Sequence, residues 1–221
     1  MYTISEIAQI IGGELHEKFN SPIKRLETDS RSITFPEETL FFAIKSRRND
    51  GHDYVEEAYR NQVRNFVIEC DYNRFSHLSD ANIICIKNSV EALQKLTIHH
   101  RNKYNIPIIG ITGSNGKTIV KEWIYQLLQK EYKITRSPRS YNSQIGVPFS
   151  VWKLDSESQL GVFEAGISQV GEMEKIAPVV RPTIGIFTNL GEAHQENFSS
   201  LKEKCSEKIK LFKDCPVILF N

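Results

Sequence analysis

The sequence predicts an α/β protein in which a small N-terminal α/β domain precedes a second domain built on a parallel sheet. Three observations support this fold class. Short apolar runs recur between turn signals in the N-terminal part, apolar runs and helical patterns alternate in the rest of the chain, and a glycine-rich turn joins a strand to a helix within residues 106–128. Strands that alternate with helices are typical of a parallel sheet.

The N-terminal domain is predicted to begin with a helix. Thr3-Ile4-Ser5-Glu6 has the form of a capping box, and Gly12-Gly13 ends the apolar pattern that follows it. Further elements are strands at LFFAI (40–44), NFVIE (65–69) and NIICI (82–86), and helices at EEAYRNQ (56–62) and from Val90 to His100. A polar stretch then precedes Pro107, so we predict domains over residues 1–103 and 104–221.

Strands and helices alternate through the second domain. Apolar runs predict strands at IPIIGIT, GVFEAG, TIGIFTN and PVILFN, and helical patterns cover residues 169–177 and 199–212. One apolar helix face is predicted after the glycine turn, formed by Ile119, Val120, Trp123, Ile124, Leu127 and Leu128. The run PVILFN reaches the last residue, so we expect an incomplete sheet.

Composition excludes several classes of function. The formal net charge of +1 provides no basic surface for nucleic acid, and no stretch has the length of a membrane span. The N-terminus lacks the pattern of a signal peptide, so we expect a cytoplasmic protein. We also expect a monomer. The four cysteines contain no CxxC pair, which favours free thiols over a zinc site or disulfides.

The stretch IPIIGITGSNGKTIVKEWIYQLL predicts a phosphate-binding loop. A strand that leads through glycines into a helix directs several backbone N–H groups at one point, where a phosphate can bind. Gly113 and Gly116 allow close approach of the backbone, Lys117 can reach phosphates, and the Thr118 hydroxyl can bind Mg²⁺. The loop is shorter than a strict P-loop, which has glycine where Ile111 stands. The alternative is a glycine turn followed by a solvated lysine.

A carboxylate in the next apolar strand suggests a partner for the loop. Glu164 lies in GVFEAG, and a carboxylate in a buried strand costs several kcal/mol unless it is paired or bound to metal. We therefore expect Glu164 to face a cation, the alternative being an edge-strand glutamate in water. A GTPase is disfavoured, because Asn102-Lys103-Tyr104-Asn105 lacks the aspartate of NKxD and precedes the loop.

The motifs TGSNGKT, FEAG and TNLGEAH, in this order, resemble the central ATPase domain of the Mur ligases, ATP-dependent amide-forming enzymes of peptidoglycan precursor synthesis. TDSRSI, LFFAIKSRRNDGHDYVEEA and YNSQIGVPFSV resemble the branch that adds D-alanyl-D-alanine to UDP-N-acetylmuramoyl-tripeptide. The resemblance covers nearly the whole chain. It implies a UDP-sugar-binding N-terminal domain, a P-loop-type ATPase domain, the cofactors ATP and Mg²⁺, and an acyl phosphate formed on the tripeptide.

The resemblance also implies roles for individual residues. It places ATP on the loop Gly113, Ser114, Asn115, Gly116, Lys117 and Thr118. It makes Lys117, Glu164, His194 and Lys208 catalytic, and it assigns Mg²⁺ to Thr118, Glu164, His194 and Lys208, the last as a carbamate. Without the resemblance, His194 is more often a surface histidine and Lys208 a solvated helix lysine. Substrate contacts are implied for Asp29, Ser30, Arg31, Asp50, Gly51, His52 and Asn142.

The sequence departs from the family pattern at three points. Ser143 replaces the second residue of an asparagine pair, and Ser46 stands where glycine is common; with TGSNGKT, these favour a branch fused to alanine racemase. The C-terminal domain that receives D-alanyl-D-alanine is absent, so we expect an incomplete central domain and no ligase activity from residues 1–221 alone. Two alternatives remain: a nucleotide-binding module without catalysis, and another amide ligase, Mur-type or of the folylpolyglutamate-forming kind.

Overall fold

The computed structural model describes residues 1–46, 49–69, 72–191 and 195–220. The chain forms two compact units, Met1–Leu96 and Thr97–Asn221. The predicted α/β fold class is confirmed, because the first unit holds a mixed sheet and the second an all-parallel sheet. The domain boundary predicted after residue 103 stays a prediction, since the helix Ser89–Arg101 contributes residues to both units.

The first unit is built on seven strands within its described residues. They are β1 (Tyr2–Thr3), β2 (Glu14–His16), β3 (Pro22–Ile23), β4 (Arg25–Glu27), β5 (Thr39–Phe42), β6 (Asn65–Glu69) and β7 (Asn82–Ile86). Five of them form a sheet in the order β2-β7-β6-β5-β4, in which only β2 is antiparallel to its neighbour. β5 and β7 are buried at every position, which explains why their sequences are apolar runs and not alternating patterns.

The helices of this unit include the capped N-terminal helix predicted from the sequence. They are α1 (Ile4–Ile11), α2 (Val55–Arg60), α3 (Tyr72–Phe75) and α4 (Ser89–Arg101), with 3-10 turns at Ser30–Ser32, Pro36–Glu38 and Gly51–Tyr54. The capping box is confirmed: the Thr3 hydroxyl accepts from the Glu6 N–H, and the Thr3 N–H donates to the Glu6 carboxylate. Gly12, with a φ of 72°, ends α1.

The second unit is a parallel sheet with helices on both faces. Its strands are β8 (Ile108–Thr112), β9 (Ile134–Arg136), β10 (Leu160–Glu164), β11 (Ile184–Phe187) and β12 (Val217–Phe220), in the order β12-β11-β8-β10-β9. Its helices are α5 (Lys117–Leu128), α6 (Gly146–Val151), α7 (Glu172–Val180) and α8 (Leu201–Ile209), with 3-10 turns at Gln195–Asn197 and Lys210–Phe212. No helix in the described ranges is long and apolar enough to cross a membrane.

The strand order places a crevice beside β8. The chain leaves β8 through α5 and reaches the edge strand β9, whereas it leaves β10 through α7 and reaches β11 on the other side of β8. The direction of connection therefore reverses between β8 and β10. In open parallel sheets, ligands bind outside the carboxyl ends of the strands at such a reversal. The loops after β8, β10 and β11 meet this condition.

The apolar face predicted for α5 is only half correct. Val120, Ile124 and Leu128 pack against the buried side chains of β8 and β10. The other three are exposed, with exposed fractions of 56% for Ile119, 61% for Trp123 and 76% for Leu127. Each lies one residue before a packed one, which is about 100° around the helix. The apolar pattern thus spans two helix rows, and only one of them faces the sheet.

Candidate functional site

The loop between β8 and α5 forms the centre of the candidate site. Gly113 has a φ of 140°, and a Cβ at this position would lie 2.0 Å from Thr188 Oγ1. Gly116, with a φ of 82°, immediately precedes α5. Both backbone conformations favour glycine, and the close approach of Thr188 leaves Gly113 no room for a side chain. The loop therefore delivers the N-terminus of a helix, where an anion binds favourably, to the carboxyl end of β8.

Two N–H groups of this loop are already engaged inside the protein. The Ser114 N–H donates to the Asn189 carbonyl at 2.9 Å, and the Asn115 N–H donates to Asn189 Oδ1 at 3.0 Å. In the described part of the chain, the N–H groups of Gly116, Lys117 and Thr118 at the start of α5 donate to no backbone carbonyl and are open to a phosphate. The loop therefore offers an anion fewer free backbone N–H groups than the sequence pattern predicted.

The buried Lys208 and the half-buried Lys117 converge on one carbonyl of the loop. Lys117 Nζ donates to the carbonyls of Gly113 at 2.8 Å and Ser114 at 3.3 Å, and Lys208 Nζ donates to Gly113 at 3.2 Å. Burial lowers the pKa of Lys117. Burial, and then the charges of Lys117 and Lys204, lower the pKa of Lys208 to about 8. Within the described residues neither lysine forms an ion pair, so this pair of cations favours an anionic ligand.

Glu164 is fully buried at the carboxyl end of β10. β10 lies between β8 and β9, so the alternative of an edge-strand glutamate in water is wrong. Thr118 Oγ1 donates to Glu164 Oε2 at 2.9 Å, and Lys121 Nζ lies 2.8 Å from Oε1. The carboxylate therefore faces a cation, as expected, and that cation is a lysine that the sequence analysis did not single out.

The oxygen atoms of Thr118 and Glu164 fit a Mg²⁺ ion. Mg²⁺ binds carboxylate and other hard oxygen ligands. Glu164 Oε1 is buried and, in the described part of the chain, accepts no hydrogen bond of good geometry; the nearby ammonium of Lys121 balances its charge. An electron pair of Oε1 is thus open to a metal ion. The predicted ligand His194 lies outside the described residues, and no group of three His, Cys, Asp or Glu residues within them could hold a metal ion.

A cavity of about 390 Å³ opens beside the loop. The phosphate loop supplies one wall, and the segments after β9 and β10 supply the others together with one residue each of α7 and α8. Asn142 lines the cavity together with Gly113, Ser114, Lys117, Ser143, Gln144, Ile145, Gly166, Ile167, Ser168, Glu172 and Lys208. Three of the six predicted nucleotide residues, Gly113, Ser114 and Lys117, therefore line the same cavity as Asn142. Ser143, one of the departures from the family pattern, lines the cavity and accepts the Gly146 N–H at the start of α6.

In the first unit, Asp29, Ser30 and Arg31 form a 3-10 turn after β4. Asp29 accepts the Arg31 N–H and pairs with its guanidinium through two bonds of 2.9 and 2.8 Å, and these hydrogen bonds lower the pKa of Asp29 to about 2. Ser30 is buried and donates to Glu57. The Arg31 side chain is 79% exposed. Of the three residues, Arg31 thus offers most of its surface to a ligand.

Asp50, Gly51 and His52 form a second 3-10 turn, and its contacts are largely internal. His52 is buried, with Nδ1 2.6 Å from Asp50 Oδ1 and Nε2 accepting the Glu69 N–H at 2.9 Å. A Cβ on Gly51 would lie 2.5 Å from the Ile44 nitrogen. Both ring nitrogens of His52 are occupied, so the histidine fixes the end of β6 in this structure. Its predicted substrate contact stays a prediction.

Comparison with known proteins identifies the fold that carries this site. Residues 111–220 match the Mur ligase middle domain. The UDP-N-acetylmuramoyl-tripeptide--D-alanyl-D-alanine ligase of Borreliella burgdorferi is 31% identical over 98% of this chain, and its namesake in Rickettsia prowazekii is 32% identical over 79%. This chain belongs to the Mur ligase family.

Solved structures of Mur ligases extend this similarity to both units. A crystal structure of MurF from Acinetobacter baumannii matches 99% of this chain with a TM-score of 0.87 and 25% identity. MurF ligase from Thermotoga maritima, solved in complex with ADP, matches 89% with a TM-score of 0.74 and 27% identity. The chain covers 50% of the Borreliella ligase, 38% of the Rickettsia ligase, and 48% and 45% of the two MurF chains. It thus spans about half the length of its relatives or less.

Three residues of the candidate site have no role that the sequence motifs predicted. Lys121 balances Glu164, Asn189 accepts two N–H groups of the phosphate loop, and the buried Lys204 donates to the Gly191 carbonyl. A helical count from Lys117 could have found Lys121, because residues four apart share a helix face. Asn189 lies within the motif TNLGEAH, but its hydrogen bonds join segments that only the fold brings together.

Proposed function

We propose that this chain is the nucleotide- and UDP-sugar-binding part of an ATP-dependent ligase that adds D-alanyl-D-alanine to UDP-N-acetylmuramoyl-tripeptide. The two Mur ligases compared above by sequence bear the name of this activity. The observation that carries the proposal is the convergence of the helix N-terminus, Lys117, Lys208 and Glu164 at one edge of the parallel sheet. Such an arrangement suits phosphoryl transfer, which depends on positioning and on neutralisation of negative charge.

In this proposal the phosphate loop holds the nucleotide. The N–H groups of Gly116, Lys117 and Thr118 and the Lys117 ammonium bind the phosphates, while Thr118 and Glu164 hold Mg²⁺. Bound Mg-ATP supplies the phosphoryl group that activates the terminal carboxylate of the tripeptide as an acyl phosphate. Lys117 leaves the carbonyls of Gly113 and Ser114 to reach a phosphate, so an ionic contact replaces two neutral acceptors.

Lys208 has a separate role in the proposal. As an ammonium it repels Mg²⁺, whereas as a carbamate, formed with carbon dioxide, it binds the ion. At about 4 Å and an effective dielectric of about 20, each pair of unit charges interacts with about 4 kcal/mol, and Mg²⁺ carries two charges. Carbamylation requires the neutral amine. The pKa of about 8 makes that form much more accessible at neutral pH than for an ordinary lysine. His194 would complete the second metal site.

Substrate binding is proposed for both units. Arg31, whose planar guanidinium matches pyrophosphate or carboxylate, is the main contact to the UDP-sugar in the first unit. Asn142 reaches the tripeptide from the wall of the cavity beside the phosphate loop. Formation of the amide bond also needs the acceptor amine held at a near-attack distance of about 3–3.5 Å. Because the chain spans half of its relatives or less, we expect residues 1–221 alone to bind ligands without forming the amide bond.

The decisive test is nucleotide binding by Lys117→Ala. We expect Mg-ADP to bind to the unchanged chain and to lose at least about tenfold in affinity in the variant, because a charge-assisted contact is worth about 1.5–3 kcal/mol. Isothermal titration measures this. Lys202→Ala, an exposed lysine on α8, is the matched control and should bind ADP normally. Equal affinity of Lys117→Ala and the unchanged chain would contradict the proposed nucleotide site.

A second measurement distinguishes the UDP-sugar ligase from a folylpolyglutamate-type ligase. We expect UDP-N-acetylmuramoyl-tripeptide to bind to the chain, UDP to compete for the same site, and Arg31→Ala to weaken both. The control is Arg60→Ala, another arginine of the first unit, near the end of α2. Binding of a folate-type substrate without competition by UDP would favour the other ligase. Tripeptide binding that Arg31→Ala leaves unchanged would contradict the role of Arg31.

A further inference from the structure

The segment 188–191, which follows β11 and is here called the β11 loop, is bonded to the phosphate loop along its length. Thr188 Oγ1 donates to the Asn115 carbonyl at 2.6 Å and approaches the Thr112 carbonyl at 3.3 Å. Gly191 donates its N–H to Ser114 Oγ at 2.9 Å. These contacts join two segments about 75 residues apart in sequence, and Asn189 lies at their centre.

Asn189 provides both acceptors for the first two N–H groups that follow Gly113. Its carbonyl accepts from Ser114 and its side-chain Oδ1 accepts from Asn115. We propose that Asn189 is a positioning residue that braces the phosphate loop, so that the N–H groups at the start of α5 are held in place for the nucleotide. The proposal rests on the proposed nucleotide site. It goes beyond that site because Asn189 acts on the loop and is not one of the proposed nucleotide contacts.

A glycine-rich loop needs such a brace because its backbone is free to adopt many conformations. Fixing a residue in one conformation costs backbone entropy, and glycine loses more freedom than any other residue. With N–H groups of Ser114 and Asn115 held by Asn189, the loop is already ordered when the nucleotide arrives. Pre-ordering of this kind raises affinity by removing an entropic cost from the binding step.

The exposure of Asn189 separates this role from a purely structural one. Asn115 and Asn189 are both exposed, so water can replace the lost hydrogen bond when the side chain is truncated. Global stability should therefore change little in Asn189→Ala. The order of the loop, and with it the affinity for nucleotide, should fall. A residue that only supported the fold would show the opposite pattern.

Two variants test whether the Asn189 side-chain oxygen is the group that orders the loop. Asn189→Ala removes Oδ1 and keeps the backbone carbonyl that accepts from Ser114, so the Ser114 amide is an internal control. Asn189→Asp keeps an oxygen at Oδ1 and adds a negative charge. We expect the Asn115 amide hydrogen to exchange about fivefold faster in Asn189→Ala and at the original rate in Asn189→Asp, since one hydrogen bond is worth about 1 kcal/mol. Exchange is measured by NMR without nucleotide.

The same variants are then titrated with Mg-ADP. We expect Asn189→Ala to bind ADP about five- to tenfold more weakly, with an unchanged unfolding midpoint. Asn102→Ala, which removes an exposed amide that accepts from Arg181, is the matched control and should bind as the unchanged chain does. Full affinity in Asn189→Ala, or an Asn115 amide that exchanges equally fast in all chains, would overturn the brace. Failure of the unchanged chain to bind ADP would instead overturn the proposed function, and amide exchange would still decide the brace.

Discussion

Three buried lysines of the second unit have different hydrogen-bond and ion-pair partners. Lys121 lies beside the carboxylate of Glu164, whereas within the described residues Lys204 donates to the Gly191 carbonyl and Lys208 to the Gly113 carbonyl, with no carboxylate partner. A buried ammonium without a carboxylate is destabilising, because carbonyl dipoles replace its hydration only in part. Lys208 therefore reduces the stability of the ligand-free chain, and an anionic ligand or a carbamate would offset this.

The same substitution at two of these lysines should have opposite effects. We expect Lys208→Met to stabilise the ligand-free chain by about 1–3 kcal/mol, because it removes a desolvated charge. We expect Lys121→Met to destabilise it by about 3–5 kcal/mol, because Glu164 is left buried without a counter-ion. Denaturant unfolding of both variants measures the difference. Lys202→Met, at an exposed position of α8, is the control and should change stability by less than about 0.5 kcal/mol.

The pH dependence gives the Lys208 prediction a second check. The folded pKa of about 8 lies below the ordinary lysine pKa of 10.5, so between these values the unfolded chain binds more protons and stability rises with pH. The advantage of Lys208→Met should thus be full below about pH 8 and disappear above pH 10.5. An advantage that stays constant over this range would show that the ammonium charge is not its cause.

The Lys121 prediction has its own check. Adding Glu164→Gln to Lys121→Met removes the unpaired carboxylate charge, so the double variant should recover most of the lost stability.

At the scale of elements, sequence patterns predicted those features that depend on interactions between residues close together in the chain. The capping box of α1 and the strands β6 and β7 have the predicted bounds, because hydrogen bonds within a few residues and continuous apolar burial determine them. α5 shows the limit. Its residues 119, 123 and 127 are apolar, yet only the sheet they lie beside determines which helix row is covered. Helix α7 starts at Glu172, after Gly171 with its φ of 86°, and not at residue 169 as predicted.

The candidate site shows the same division between local and long-range determinants. The phosphate loop was predictable, because its glycines, Lys117 and Thr118 follow one another in the chain and their geometry is set by the strand-to-helix turn. The convergence of Lys117 and Lys208 on one carbonyl depends on α8 packing beside the loop. The brace by Asn189 depends on β11 lying next to β8. Such contacts follow from strand order, which no short motif encodes.

At the scale of the whole molecule, each unit has its own sheet and buried apolar cluster. Phe41, Phe66 and Ile83 belong to the cluster of the first unit, and Ile108 and Phe163 to that of the second. A unit with its own core can unfold as a separate cooperative step. The proposed contacts to ATP and to the UDP group also divide between the units: the ATP contacts lie in the second, and Arg31 lies in the first.

We therefore expect the chain to unfold in two calorimetric transitions that respond to different ligands. Mg-ADP at about 100 times its dissociation constant should stabilise the unit that binds it by about 2.7 kcal/mol and raise only that transition. UDP, which lacks the tripeptide that is proposed to reach Asn142, should raise only the other. At the same ADP concentration, Lys117→Ala should reduce the first stabilisation to about 1.4 kcal/mol or less and keep the second, because its affinity falls at least about tenfold. Arg31→Ala should weaken only the second, so each variant serves as the control for the other. A single transition that both ligands raise together would contradict the independence of the units, and it would mean that nucleotide and UDP-sugar binding stabilise one cooperative structure.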